Sequence, residues 1–318
     1  MGTAAYKAIE LPLGDSWQTD PALADLPAAT LEAARQAKGV LVRTLFTAKA
    51  GAECTAACLG YHRPHTSQMK LCALAGAEEL YKGLFDFAAQ EVMAQGLVLK
   101  TELGALAPSP LADAETRARS LHYRQTTNFT CGSVATLDAL RRLGLRGALN
   151  RTDEIALWRE ATMVVACGPY GLALAAARRG CMPTVYVSRP GCVLDTGKKS
   201  FGLLDAQLSR DIQLNFEAQA HEQGVPIVVG PFGTADIAQA LDAGHIVIVL
   251  IDEVHWHGES CPHWVTVVRH EGQRFFVDDP WCDLEFGESA VDAYELAVDA
   301  ADLELVSSYD GVRAMLVF

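Results

Sequence analysis

An α+β fold is predicted for residues 111–318, because helical segments come first and β-branched strands follow, without strand–helix alternation. Cys131 opens a segment in which Val134, Leu137, Leu140 and Leu143 recur every third residue until Gly144 stops it, which predicts a helix over 131–143. Further helices are expected over 152–165, 169–179 and 234–243, with a strand over 182–188. The continuously apolar run Gly244–Ile251 reads as a buried strand, followed by strands over 261–268 and 273–277. Residues 1–110 predict a mainly helical region of unassigned role. Its first 20 residues read as irregular, 27–37 as a helix, 40–46 as a strand, and the alanine-rich stretch 67–95 as a long helix weakened by Gly76 and Gly83. Pro108 and Pro110 make residues 105–111 the expected linker, giving domains at 1–110 and 111–318.

Composition narrows the function classes. The chain has 318 residues, half of them apolar, enough for one large core or two smaller ones. No 18-residue apolar run occurs and the first ten residues lack a signal-peptide layout, so neither a spanning helix nor export is expected. Nine cysteines without scaffold spacing fit reduced thiols and a cytoplasmic location. A formal charge of −13 argues against nucleic acid and anionic membranes as partners, since phosphate contacts need clustered Lys and Arg.

One motif carries chemistry. Gln125 stands six residues before Cys131-Gly132, at the start of the predicted helix. A thiol there meets unpaired backbone N–H groups and the positive end of the helix dipole, both of which favour a thiolate. An amide just upstream can direct its NH2 to the point where a carbonyl oxygen becomes an oxyanion. His263 begins one strand and Asp278-Asp279 ends the next, so antiparallel pairing can set imidazole beside carboxylate. Neighbouring strand residues point to opposite faces, so only one of the two aspartates can face His263.

These residues resemble a known family. Arg124–Gly132, Glu154–Thr162, Tyr170–Gly180, His263-Trp264-Val265 and Asp279-Pro280 are similar to the C39-like cysteine peptidases, a papain-fold group that includes bacteriocin-leader peptidases. The similarity spans about 120 to about 285, and Ser133 stands where relatives often have proline. The resemblance implies a papain-like fold, with a helical part carrying the cysteine and an antiparallel sheet carrying the histidine and aspartate. It implies Cys131 as nucleophile, His263 as base, Asp279 rather than Asp278 as its orienter, and Gln125 as oxyanion donor. Gly132, Tyr170, His257 and Trp264 are expected near the substrate.

The expected activity is hydrolysis of a peptide or of an amide-containing small molecule, through a thioester on Cys131 and without a cofactor or metal. Transfer of the acyl group to an amine acceptor is the alternative, and a non-catalytic peptide-binding module a lesser one. Oligomeric state is left open. Cys54, Cys58, His62 and His65 would offer zinc ligands on one face only if helical, yet Gly60 and Pro64 interrupt a helix. The cluster His255, His257, Cys261 and His263 reads better as a loop near a cleft than as a metal site.

Overall fold

The computed structural model describes residues 4–50, 54–194 and 205–318. They divide into two compact units: Met1–His122 with 256–258 and 282–297, and Tyr123–His255 with 259–281 and 298–318. The division at 122/123 replaces the boundary expected at 110/111.

In the first unit, β1 (Ala5–Leu11), α1 (Ala28–Gln36), β2 (Val42–Ala50), β3 (Cys54–His62), β4 (Gln68–Gly76), α2 (Tyr81–Ala94), β5 (Val98–Thr101) and α3 (Ser109–Leu121) follow in order. The sheet runs β1-β2-β3-β4-β5, antiparallel through β4, with β5 parallel to β4. Successive side chains alternate between two cores. Leu45, Leu59 and Tyr61 join Trp17 and Ala34 of α1 on one face, while Phe46, Cys58, Met69 and Leu71 meet Leu84, Ala88 and Val92 of α2 on the other.

This is a correction to the mainly helical region that the sequence predicts. Leu71 and Leu74 recur at helical spacing, yet they lie on a strand. The decisive residue is Lys70 of β4, which is fully buried with its ammonium 2.6 Å from Asp292 and 2.7 Å from Glu102. Partners so remote in sequence leave no local signal. Gly76 ends β4 at φ +112°, where an added Cβ would sit 2.3 Å from the Thr55 carbonyl oxygen. The prolines expected in a linker belong instead to the start of α3, where Pro108 precedes the helix and Pro110 sits in its first turn. A missing N–H costs nothing there, because those amides have no partner within the helix. Because Cys54–His62 is the strand β3, the helical spacing on which the zinc reading depends does not arise.

The second unit contains α4 (Cys131–Arg142), α5 (Arg151–Ala161), α6 (Pro169–Ala177), β6 (Thr184–Val187), α7 (Ala206–Glu222), β7 (Ile227–Val229), α8 (Thr234–Asp242) and β8 (Val247–Asp252). The short α9 (Val254–His257) follows, its last two residues falling in the first unit, and then come β9 (Pro262–Glu271), β10 (Arg274–Asp278), β11 (Leu296–Asp299), whose first two residues also fall in the first unit, and β12 (Ala314–Val317). The sheet order is β11-β10-β9-β8-β12-β6-β7. From β10 to β6 each pair is antiparallel, and β7 runs parallel to β6. The α+β class expected from the sequence is therefore present.

Helices α4 and α6 are the most deeply set. Every residue of α6 from Pro169 to Ala176 is buried, as suits a helix apolar all round. Helix α4 lies on the sheet, where the Thr266 hydroxyl of β9 donates to the Ala135 carbonyl at 3.2 Å. Among the described residues no helix is long and apolar enough to cross a membrane.

The Lys70 cluster yields a stability test. Lys70→Ala leaves the buried Asp292 without its ion-pair partner, while Glu102 keeps Arg119, and urea unfolding is expected to show a loss of about 3–5 kcal/mol.

Candidate active site

His263 stands near the start of β9, between the ends of two neighbouring strands. It pairs with Ile251 of β8, so Glu253, two residues further along that chain, falls on the same face. On the other side, Asp278 of β10 pairs with Thr266 of β9. Thr266 faces α4, and Asp278 does likewise by bonding Arg142 of that helix. Asp279 therefore turns to the opposite face, with its Oδ1 2.7 Å from His263 Nε2. A bulge between Phe276 and Val277 shifts the register just before this point, a common way for a strand to re-aim a side chain.

Glu253 is the residue the sequence reading missed. Its Oε1 lies 3.2 Å from His263 Nδ1, so each ring nitrogen faces a carboxylate. Asp252 fixes the loop that brings it there, accepting from the Val254 and Cys261 amides, both at 3.1 Å, and from the Ser260 hydroxyl at 3.0 Å. A glutamate in a polar loop has no sequence pattern to distinguish it. Only the pairing of β8 with β9 sets it against the ring.

The electrostatics follow from this packing. Burial alone would lower the His263 pKa, but Glu253, Asp279 and Cys131 outweigh it, and the value rises well above 6.5. His263 is 3% exposed and Asp279 fully buried. Asp279 Oδ1 also accepts the Trp281 amide at 2.8 Å, which holds the carboxylate in place.

Cys131 is the first residue of α4 and is buried. Gly132 makes that position possible, since an added Cβ would stand 3.1 Å from both Leu172 and Trp264 and 3.2 Å from the Cys167 Cβ. The Trp264 indole donates to the Cys167 carbonyl at 2.9 Å. Gly132 and Trp264 thus belong to the packing around the cysteine. Tyr170 is buried as well, with its hydroxyl 3.1 Å from Glu217 Oε1, and it lines a small pocket with Thr162, Gly168, Gln213 and Phe216. His257, expected near the substrate, is placed in the first unit, 3.5 Å from Glu288.

Gln125 closes the arrangement. Its backbone amide donates to the Pro280 carbonyl at 2.8 Å, directly after Asp279. The Arg124 guanidinium lies over the Trp281 ring at 4.2 Å, a second clip between the same two stretches. The Gln125 Nε2 gives one hydrogen to the Thr127 carbonyl at 2.8 Å, while its Oε1 is buried with no hydrogen-bond partner among the described residues. Chemically, the unit unites a thiol at a helix start, an imidazole with two carboxylates, and an amide with one N–H to spare.

The model of the family described as Peptidase_C39 like matches residues 121–318, well over half of the chain. The chain belongs to that family. Among solved structures, it is similar to a protein from Bacillus anthracis described as a C39-like peptidase, at 10% identity and a TM-score of 0.33, covering 63% of this chain and 95% of that one. No curated protein matches the chain.

Two outcomes test the site's physics. The raised His263 pKa means that its stabilising contribution is full below pH 6.5 and is lost as pH climbs through the folded-state value. Stability in urea should therefore decline on the alkaline side, and in Glu253→Gln that decline should begin at lower pH. Gly132→Ala should destabilise by about 1–3 kcal/mol, because its methyl must displace Leu172 and Trp264 in a close-packed setting.

Proposed function

We propose that this chain is a papain-like cysteine peptidase or amidohydrolase that acts through Cys131, His263, Asp279 and Gln125. The observation that carries the reading is the buried His263, bonded to Asp279 at 2.7 Å and facing Glu253 at 3.2 Å, in the same unit as the helix start that bears Cys131. Asp279 makes Nε2 the protonated nitrogen and leaves Nδ1, which Glu253 faces at 3.2 Å, to take the thiol proton. The buried carboxylates favour the imidazolium that results, and with it an ion pair with the thiolate.

The thiolate attacks the carbonyl carbon of an amide. The carbonyl π pair moves onto oxygen, where the second N–H of the Gln125 amide and the backbone N–H of Cys131 receive it. Each such donor contributes about 3–4 kcal/mol to the barrier reduction. His263 then passes its proton to the leaving nitrogen, the C–N bond breaks, and a thioester remains on Cys131. Water, deprotonated by the same imidazole, hydrolyses it and restores the thiol. The substrate class is a peptide or another amide.

Iodoacetamide labelling at pH 6, mapped by mass spectrometry, tests the reading. Cys131 should label well ahead of the other thiols in the wild type, and this preference should vanish in His263→Ala. Equal slow labelling of the thiols in both proteins overturns the proposal. Cleavage of a mixed peptide library should fall by about a millionfold in Cys131→Ala, a loss typical of removing the nucleophile.

A further inference from the structure

The sequence motif from Glu154 to Thr162 has one member that the catalytic reading does not use. Glu154 sits in the first turn of α5 and is fully buried. A first-turn glutamate ordinarily faces water and gains from the helix dipole, whereas a carboxylate removed from water is costly unless it is richly bonded. All four of its bonds come from the short segment between the first described residue of this unit and Cys131. Oε1 accepts from the Thr126 amide at 2.8 Å and from the Thr130 hydroxyl at 2.5 Å. Oε2 accepts from the Tyr123 hydroxyl at 2.8 Å and from the Thr126 hydroxyl at 3.0 Å.

The bond to Thr130 has a particular consequence. Thr130 is the N-cap residue of α4, and threonine there usually turns its hydroxyl onto an amide of the first helical turn. Here it makes no such cap bond. Its proton goes to Glu154, so in the 2.9 Å contact between the two hydroxyls Thr127 is the donor. The Thr127 carbonyl in turn holds the Gln125 amide. One carboxylate thereby orders the residues on both sides of the place where an oxyanion would form.

We propose that Glu154 is a positioning residue of the active site: its carboxylate holds the 123–130 segment so that the Gln125 amide and the uncapped first turn of α4 are ready for an oxyanion at Cys131. This rests on the cysteine-nucleophile reading above. Glu154 touches no reacting atom and acts through Thr126, Thr127 and Thr130.

Two thiol reagents separate this role from simple structural support. Iodoacetamide alkylates a thiolate without forming an oxyanion. A small aldehyde, acetamidoacetaldehyde, does form one: the Cys131 thiolate adds to the carbonyl carbon and the π pair moves to oxygen, giving a hemithioacetal alkoxide beside the protonated His263. Aldehyde binding is read as protection of Cys131 from iodoacetamide in the full chain.

Glu154→Gln and Thr130→Val should keep the iodoacetamide rate and its pH profile within about twofold, while aldehyde affinity falls about tenfold or more, as expected for a misplaced oxyanion donor. Parallel loss of both reactivities, or no loss of either, overturns the proposal. Absence of aldehyde protection in a wild type whose Cys131 labels rapidly overturns it too. If Glu154→Gln loses its circular dichroism signature of folding, Thr130→Val decides. A wild type whose Cys131 is no more reactive than its other thiols instead overturns the catalytic reading itself, which is a separate result.

Discussion

A buried imidazole flanked by two carboxylates constrains the second unit more than any other single feature. Burial penalises the imidazolium, so it persists only where carboxylates are held against it. Those carboxylates come from the ends of the two strands that flank β9. Glu253 follows β8, and Asp279 follows β10. Register, alternation and the bulge at Phe276 must therefore agree for both to arrive on the face that His263 occupies. A slip of one residue in β10 would turn Asp279 toward α4 and Asp278 toward the ring.

A second constraint ties the other half of the site to the first. The three residues Asp279, Pro280 and Trp281 serve two partners at once. The aspartate takes the histidine ring, while the Pro280 carbonyl and the Trp281 ring hold Gln125 and Arg124. Glu154 then gathers the segment from Tyr123 to Thr130 in front of α4. Acidic groups thus do most of the organising, each saturated by hydrogen bonds or facing a cation. That pattern is what keeps buried carboxylates tolerable.

Much of this was legible in local pattern. The apolar spacing after Cys131 marks α4 with a one-residue difference at its end, and the β-branched runs mark β8, β9 and β10 closely. Other elements were not legible, for identifiable reasons. β4 looks helical because alanine and leucine suit a helix, whereas its pairing with β3 and β5 and the burial of Lys70 against Asp292 and Glu102 depend on residues remote in the chain. β12 is four residues near the end of the chain, too short to signal that it lies between β8 and β6. Within the site, Cys131, His263 and Gln125 announce themselves by chemistry at element boundaries. Glu253 and Glu154 do not, because glutamate in a loop or a first helical turn is ordinary.

The periodic elements of the second unit, the thiol at a helix start, the imidazole at a strand start and the order in which they come are all readable from local pattern. Those features depend on neighbours within a few residues, and local chemistry is enough to read them. Long-range contacts build the first unit on a five-stranded sheet, set Asp279 and not Asp278 against His263, and put Glu253 and Glu154 where they stand. Each of those outcomes rests on pairing between residues remote in the chain. Strand register and the burial of charge set that pairing, and neither leaves a mark in any short window of sequence.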